Sequence, residues 1–133
     1  MTTTTSTTSI DRFLATVCGD HAGAALWADD AVLDAVVPGW RMPVRGSRAI
    51  DAQLRKWFAD PGELEELRRH PTETGEIVEF TVTWEEKGVP HAARQVHVLD
   101  LAPDGRIEHD AMWCGGRWSA GLLADMEAAR DAG

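Results

Sequence analysis

From Gly75 onward apolar and polar positions alternate: Val78, Phe80, Val82 and Trp84 are interleaved with Glu79, Thr81, Thr83 and Glu85. A period of two puts each set on its own side of a strand, so this segment predicts a sheet with one buried face. Lys87-Gly88 reads as a turn. The run HAARQVHVLDLA then reads as a second strand, half-apolar on both faces. Pro103-Asp104-Gly105 predicts another turn, because Pro presets φ and Gly accepts a positive one. RIEHDAMWC makes a third strand that Gly115-Gly116 is expected to end.

The N-terminal half has the other period. Ile10, Phe13, Leu14 and Val17 fall on one face of a helix that Ser9 caps and Gly19 ends. A second, short helix is expected from about Asp20 to Trp27, with Leu26 and Trp27 turned inward. AVLDAVVPGW is β-rich, but Pro38-Gly39 prevents a regular central strand. Gly46-Ser47 opens the strongest helix, whose Ile50, Leu54, Trp57 and Phe58 sit at i, i+4, i+7 and i+8 as one apolar stripe. Pro61-Gly62 ends it. ELEELRRH has helical propensity but ambiguous placement. After Arg117, Leu122, Leu123 and Met126 form a last helical pattern. Helices first and hairpin strands afterwards is an α+β order.

Composition narrows the picture. A length of 133 residues suits one domain with a real core. Residues 1–8, a Thr/Ser tract, are expected to be a disordered tail ahead of one domain over 9–133. The formal charge of −9 argues against a nucleic-acid partner, which needs clustered Lys and Arg. Cys18 and Cys114 are too few for a disulfide framework. No secretory signal or bilayer-spanning stretch is visible, so the expectation is a cytoplasmic chain with no membrane partner. The five histidines lack zinc-ligand spacing, and no metal site is expected. WCGGRW does not follow a strand and open a helix as a phosphate loop would, so no nucleotide cofactor is expected.

Taken in order, these segments resemble a known family. ALWADDAVLDAVVPGW…RGSRAI is similar to the helix, bent strand and helix start of ketosteroid isomerase and of SnoaL-like polyketide cyclases. TVTWEEKGVPHAARQVHVLDLAPDGRI is similar to the isomerase's two long strands, and RFLATV to its first helix. The resemblance covers nearly everything from Ser9 to Gly115. It implies a nuclear-transport-factor-2-like cone, in which a curved antiparallel or mixed sheet wraps a long helix and opens as an apolar pocket. It also makes ELEELRRH a strand, against its propensity.

The same resemblance locates the chemistry. In the isomerase an Asp base moves a proton while a Tyr and a protonated Asp stabilise the enolate. Those positions fall on Ala35, Phe13 and His97, and the chain contains no tyrosine. The Asp-Arg-Asp set of limonene epoxide hydrolase falls on His97, Gln95 and Met112, and the cyclase acid near Met112. Neither mechanism carries over intact. What remains polar toward the implied pocket is Gln95, His97 and Asp110, with Cys114 at the rim.

His97 is therefore the expected acid–base centre, a residue type able to take a proton or stabilise an oxyanion. Asp110 is its expected partner, unless the register is off by one and His109 points inward instead. Gln95 is the positioning donor or acceptor. Asp34 has the parity opposite to Ala35 and is expected at the surface. Phe13, Ala35, Val37, Trp57, Val82, Trp84, Met112 and Cys114 are the expected binding wall. The function implied is cofactor-independent acid–base chemistry (isomerisation, cyclisation, dehydration or epoxide opening) on a small apolar polyketide- or terpenoid-like molecule. The alternatives are a non-catalytic ligand binder and an interaction module. A homodimer is expected, because an open sheet needs its outer face partly covered and the family usually pairs there.

Overall fold

The computed structural model describes the backbone of residues 2–132 and the side chains of residues 9–132. Helix α1 (Thr2–Val17) is followed by a single 3-10 turn at Ala24–Leu26. Then come β1 (Trp27–Val37), β2 (Trp40–Arg45), α2 (Ser47–Trp57), β3 (Gly62–Pro71), β4 (Gly75–Glu86), β5 (Val89–Leu101), β6 (Ile107–Ser119) and α3 (Ala120–Ala132). The six strands form one sheet in the order β2-β1-β6-β5-β4-β3. β1 and β6 are parallel and every other pair is antiparallel.

One side of this sheet is the core. Leu33 and Ala35 of β1, Val78, Phe80 and Val82 of β4, Ala93 and Leu99 of β5, and Met112 of β6 are buried. They pack beneath Ile10, Phe13, Leu14 and Val17 of α1 and beneath Ile50, Leu54 and Phe58 at α2. Each of the larger side chains, fully buried, contributes about 1.5–3 kcal/mol over the exposed state. The apolar periods read from the sequence are thus the faces that meet. The sheet is mixed, curved and unclosed. Register shifts near Trp27/Val32, Glu65/Arg68 and Ala93/Gln95 accompany the curvature, since an extra residue in one strand bends it.

Four local differences from the sequence reading have physical causes. The helix begins at Thr2 rather than Ser9, so the tract expected to be a disordered tail is helical along its backbone. Extending an existing helix needs no new nucleation, and threonine's propensity deficit is only a few tenths of a kcal/mol. Met1 and the side chains of residues 2–8 lie outside the described residues. Ser9 uses its hydroxyl to donate to the Gly105 carbonyl oxygen, tying α1 to the β5–β6 turn instead of capping the helix.

The expected helix over Asp20–Trp27 shrinks to its 3-10 turn, and Trp27 already belongs to β1. Its inward residues Leu26 and Trp27 are buried as expected. ELEELRRH is the edge strand β3, as the resemblance implied, and pairing with β4 overrides its helix propensity. Gly115-Gly116 does not end β6. Cys114 pairs with Gln95 and Arg117 with Ala93, so two residues of β6 oppose one of β5. Gly116 takes φ 115°, which a glycine accepts without strain, and the strand runs on to Ser119.

Candidate functional site

The inward faces of β5 and β6 carry three polar side chains among apolar ones. Strand alternation turns Ala93, Gln95, His97 and Leu99 to the same side. The ladder sets His97 opposite Met112 and Leu99 opposite Asp110, making His97 and Asp110 diagonal neighbours. His97 Nδ1 lies 2.9 Å from both Asp110 carboxylate oxygens. Its Nε2 lies 2.8 Å from Gln95 Oε1. The Gln95 amide nitrogen in turn points at Cys114 Sγ, 3.6 Å away. The imidazole stacks on Phe80 with centroids 5.6 Å apart and 12° between planes, and it meets Phe13 edge-on at 4.8 Å.

Burial grades this row. His97 and Asp110 are 0 % exposed and Gln95 is 5 % exposed. His109 is on the opposite side of β6, so the off-by-one register does not occur.

Beside Gln95 opens a cleft of about 320 Å³. Val37, Trp57, Val82, Trp84, Met112 and Cys114 line it, together with Gln95. Phe13 and Ala35, both expected in the wall, do not reach it. Each is wholly buried: Phe13 wedges between Trp27 and His97, and Ala35 is too short to pass its ladder partner Met112. His97 and Asp110 do not line the cleft either; Gln95 stands between them and it.

Four lining residues were not singled out from the sequence: Pro38, Ala93, Gly116 and Arg117. Phe58, which also lines the cleft, was visible as the end of the α2 stripe. Arg117 reaches the cleft because the bulge at Gly116 resets the parity of β6, and the Gly-Gly pair was the available signal. At the mouth the Arg117 guanidinium lies 5.4 Å from the Trp84 ring centroid and pairs with Glu86. Trp84 Nε1 donates to Glu86 Oε1 at 2.9 Å. Such exposed ion pairs add little stability, so this cluster acts mainly as a rim.

The remaining candidates separate cleanly. Cys18 and Cys114 are free thiols. Burial, helped by the charge of Glu63, pushes the Cys18 thiol up and keeps it protonated at neutral pH. Asp34 faces outward, with its two carboxylate oxygens held by Arg41 Nε at 3.0 Å and Nη2 at 2.7 Å. These hydrogen bonds, with the guanidinium charge, hold its carboxyl below the ordinary 3.8. A depressed folded-state value adds stability above the unfolded value, and that stability fades as pH falls through the folded one. Asp34→Asn is therefore expected to be slightly less stable than wild type at pH 6, with the gap closing below about pH 4. Urea midpoints measured from pH 6 to pH 2.5 check this, and a gap that does not narrow at all over that range contradicts it.

No family model and no curated protein sequence matches the chain. Solved structures do. An LEH-like epoxide hydrolase of M. tuberculosis superposes with TM-score 0.66 at 19 % identity, over 84 % of this chain and 83 % of that one. A nuclear-transport-factor-2-like protein of unknown function from Burkholderia xenovorans gives 0.64 at 18 %, over 86 % of each chain. A protein of Xanthomonas campestris described as a candidate polyketide cyclase gives 0.63 at 16 %, over 85 % and 92 %. The fold is accordingly the nuclear-transport-factor-2-like α+β fold that the sequence resemblance implied.

Proposed function

We propose that this chain uses its nuclear-transport-factor-2-like fold to bind a small, largely apolar molecule in the cleft and to transform it without a cofactor. The observation that carries this reading is the buried row Asp110–His97–Gln95, which ends on the cleft floor. Sequestering a carboxylate and an imidazole from water is costly, and well-packed apolar residues would often be at least as stable. A site function gives a reason to keep them. An apolar wall with few convergent polar groups is the usual form of a small-molecule site. The neighbours described as an epoxide hydrolase and a candidate polyketide cyclase are in keeping with isomerisation, cyclisation, dehydration or epoxide opening on a polyketide- or terpenoid-like substrate. In this arrangement Gln95 meets the substrate oxygen, and the His97–Asp110 pair supports the charge that develops there.

One observation favours a second reading, a ligand binder without turnover: His97 is sealed from the cleft by Gln95. Titrating the protein with polycyclic ketones, lactones and epoxides, followed by product analysis, separates the two. Turnover is expected for at least one class and is expected to fall by 10²-fold or more in Asp110→Asn, the size typical of lost acid–base or oxyanion support. Saturable binding with no product from any class supports the passive binder. An absence of binding sinks both.

The same reading extends to assembly and place. Trp113 is half exposed on the outer sheet face, between its ladder partners Val36 and Val96. That strip suits the proposed homodimer, for which a monomer in light scattering is the contrary result. The free cysteines suit the proposed cytoplasmic setting. Among the described residues no helix is long and apolar enough to cross a membrane.

A further inference from the structure

Both ring nitrogens of His97 face acceptors. Nδ1 faces the Asp110 carboxylate and Nε2 faces the carbonyl oxygen of the Gln95 amide. An amide oxygen only accepts, so at this contact Nε2 donates to Gln95 Oε1. The Gln95 oxygen is thereby occupied inside the protein, which leaves only its NH₂ group to turn outward. That group has two hydrogens, and one points at Cys114 Sγ. The sulfur is a weak acceptor already approached by the Gly116 backbone N–H at 3.4 Å. The second hydrogen has no partner among the described residues, and Gln95 lines the cleft.

From this we infer that the cleft offers its ligand a hydrogen-bond donor and no matching acceptor at Gln95. The molecule it takes is apolar and carries an acceptor oxygen, such as a ketone, ester, lactone or epoxide. This rests on the cleft being a small-molecule site, as proposed above. His97 and Asp110 are positioning residues in this scheme. They never touch the ligand; they fix which end of the Gln95 amide faces it. The Asp110 carboxylate anchors the ring at Nδ1, and Nε2 holds the amide oxygen. Donation from the ring also polarises the amide, strengthening its outward N–H.

An amide at position 110 can meet Nδ1 as acceptor or as donor, so Gln95→Leu, which removes the cleft-facing amide itself, is the variant that tests the donor.

Three bicyclic probes of nearly equal size test this by calorimetry and by ligand-detected NMR. They are 1-indanone, which only accepts, indole, which only donates, and indane, which does neither. Wild type is expected to bind 1-indanone about tenfold more tightly than indole, the scale of one buried hydrogen bond gained or left unmade. Gln95→Leu is expected to weaken 1-indanone about tenfold and leave indane within error. In wild type His97 Nε2 should show an attached hydrogen in ¹⁵N–¹H correlation, as its contact with the Gln95 oxygen requires.

A wild-type preference for indole that is lost in Gln95→Leu would mean the amide faces the other way, overturning the inference while leaving the site intact. Equal binding of all three probes, unaffected by Gln95→Leu, would overturn it as well. If indane also fails to bind, the small-molecule reading falls, and the inference with it.

Discussion

Asp110→Ala is expected to lower folding stability by about 3–5 kcal/mol, the usual cost of removing one partner from a buried ion pair. Asp110 and His97 are both 0 % exposed and meet at 2.9 Å, and among the described residues no other side chain meets His97 Nδ1. The ring would keep Phe80 on its face and Phe13 on its edge while its Nδ1 hydrogen faced an empty space. His97→Ala is not a clean probe of chemistry for the same reason: it strands the carboxylate. Asp110→Asn, which retains an acceptor, is expected to lose clearly less. The double variant His97→Leu/Asp110→Val removes both polar groups and is expected to recover most of the loss, as paired apolar replacements often do. Urea unfolding of the four variants beside wild type measures this. A double variant as unstable as Asp110→Ala would show that the pair serves the fold itself, and would remove the main reason for assigning it to the cleft.

The pairing of His97 with Asp110 was legible in the sequence, whereas its depth was not. HAARQVHVLDLA is half-apolar on both faces, so it was the register implied by the resemblance that turned Gln95, His97, Asp110 and Met112 to one side, where the strands place them. Parity says which face a residue joins, but not how far along the strand the face changes from packed core to open cleft. Leu99, Asp110 and Leu33 lie in one packed cross-strand row, His97 and Met112 in the next, and Gln95 with Cys114 in the row that opens. Phe13 and Ala35 were assigned to the cleft wall for this reason: they share the inward face but occupy its closed end.

Other elements were obscured by competing local signals. ELEELRRH has the composition of a helix, and only its ladder with β4 makes it a strand. Gly115-Gly116 has the composition of a terminator, yet a β-bulge uses the same freedom at Gly116 to continue the strand and bring Arg117 to the rim. The long amphipathic α2 suffered no such conflict: Ile50, Leu54 and Phe58 are buried where the period puts them.

Phe13→Ala tests the closed end directly and is expected to be the second large loss, about 3–5 kcal/mol for a fully buried phenylalanine. Phe13 is 0 % exposed, meets Trp27 at 6.2 Å with the rings at 83°, and covers the edge of the His97 imidazole. Truncation removes both aromatic contacts and leaves a cavity against His97, a polar neighbour able to hold water there. Two effects should therefore appear together. The urea midpoint falls, and the His97 ring hydrogens exchange with solvent markedly faster in the folded protein. Phe13→Leu, which fills most of the volume, should show a smaller loss of stability and little change in exchange. If Phe13→Ala loses stability but exchange at His97 stays slow, the surrounding side chains have closed over the ring, and water reaches His97 only by way of Gln95. Were exchange in wild type already as fast as in the variant, the imidazole would not be sealed at all. Direct proton transfer from His97 to a ligand would then displace the role assigned here to Gln95.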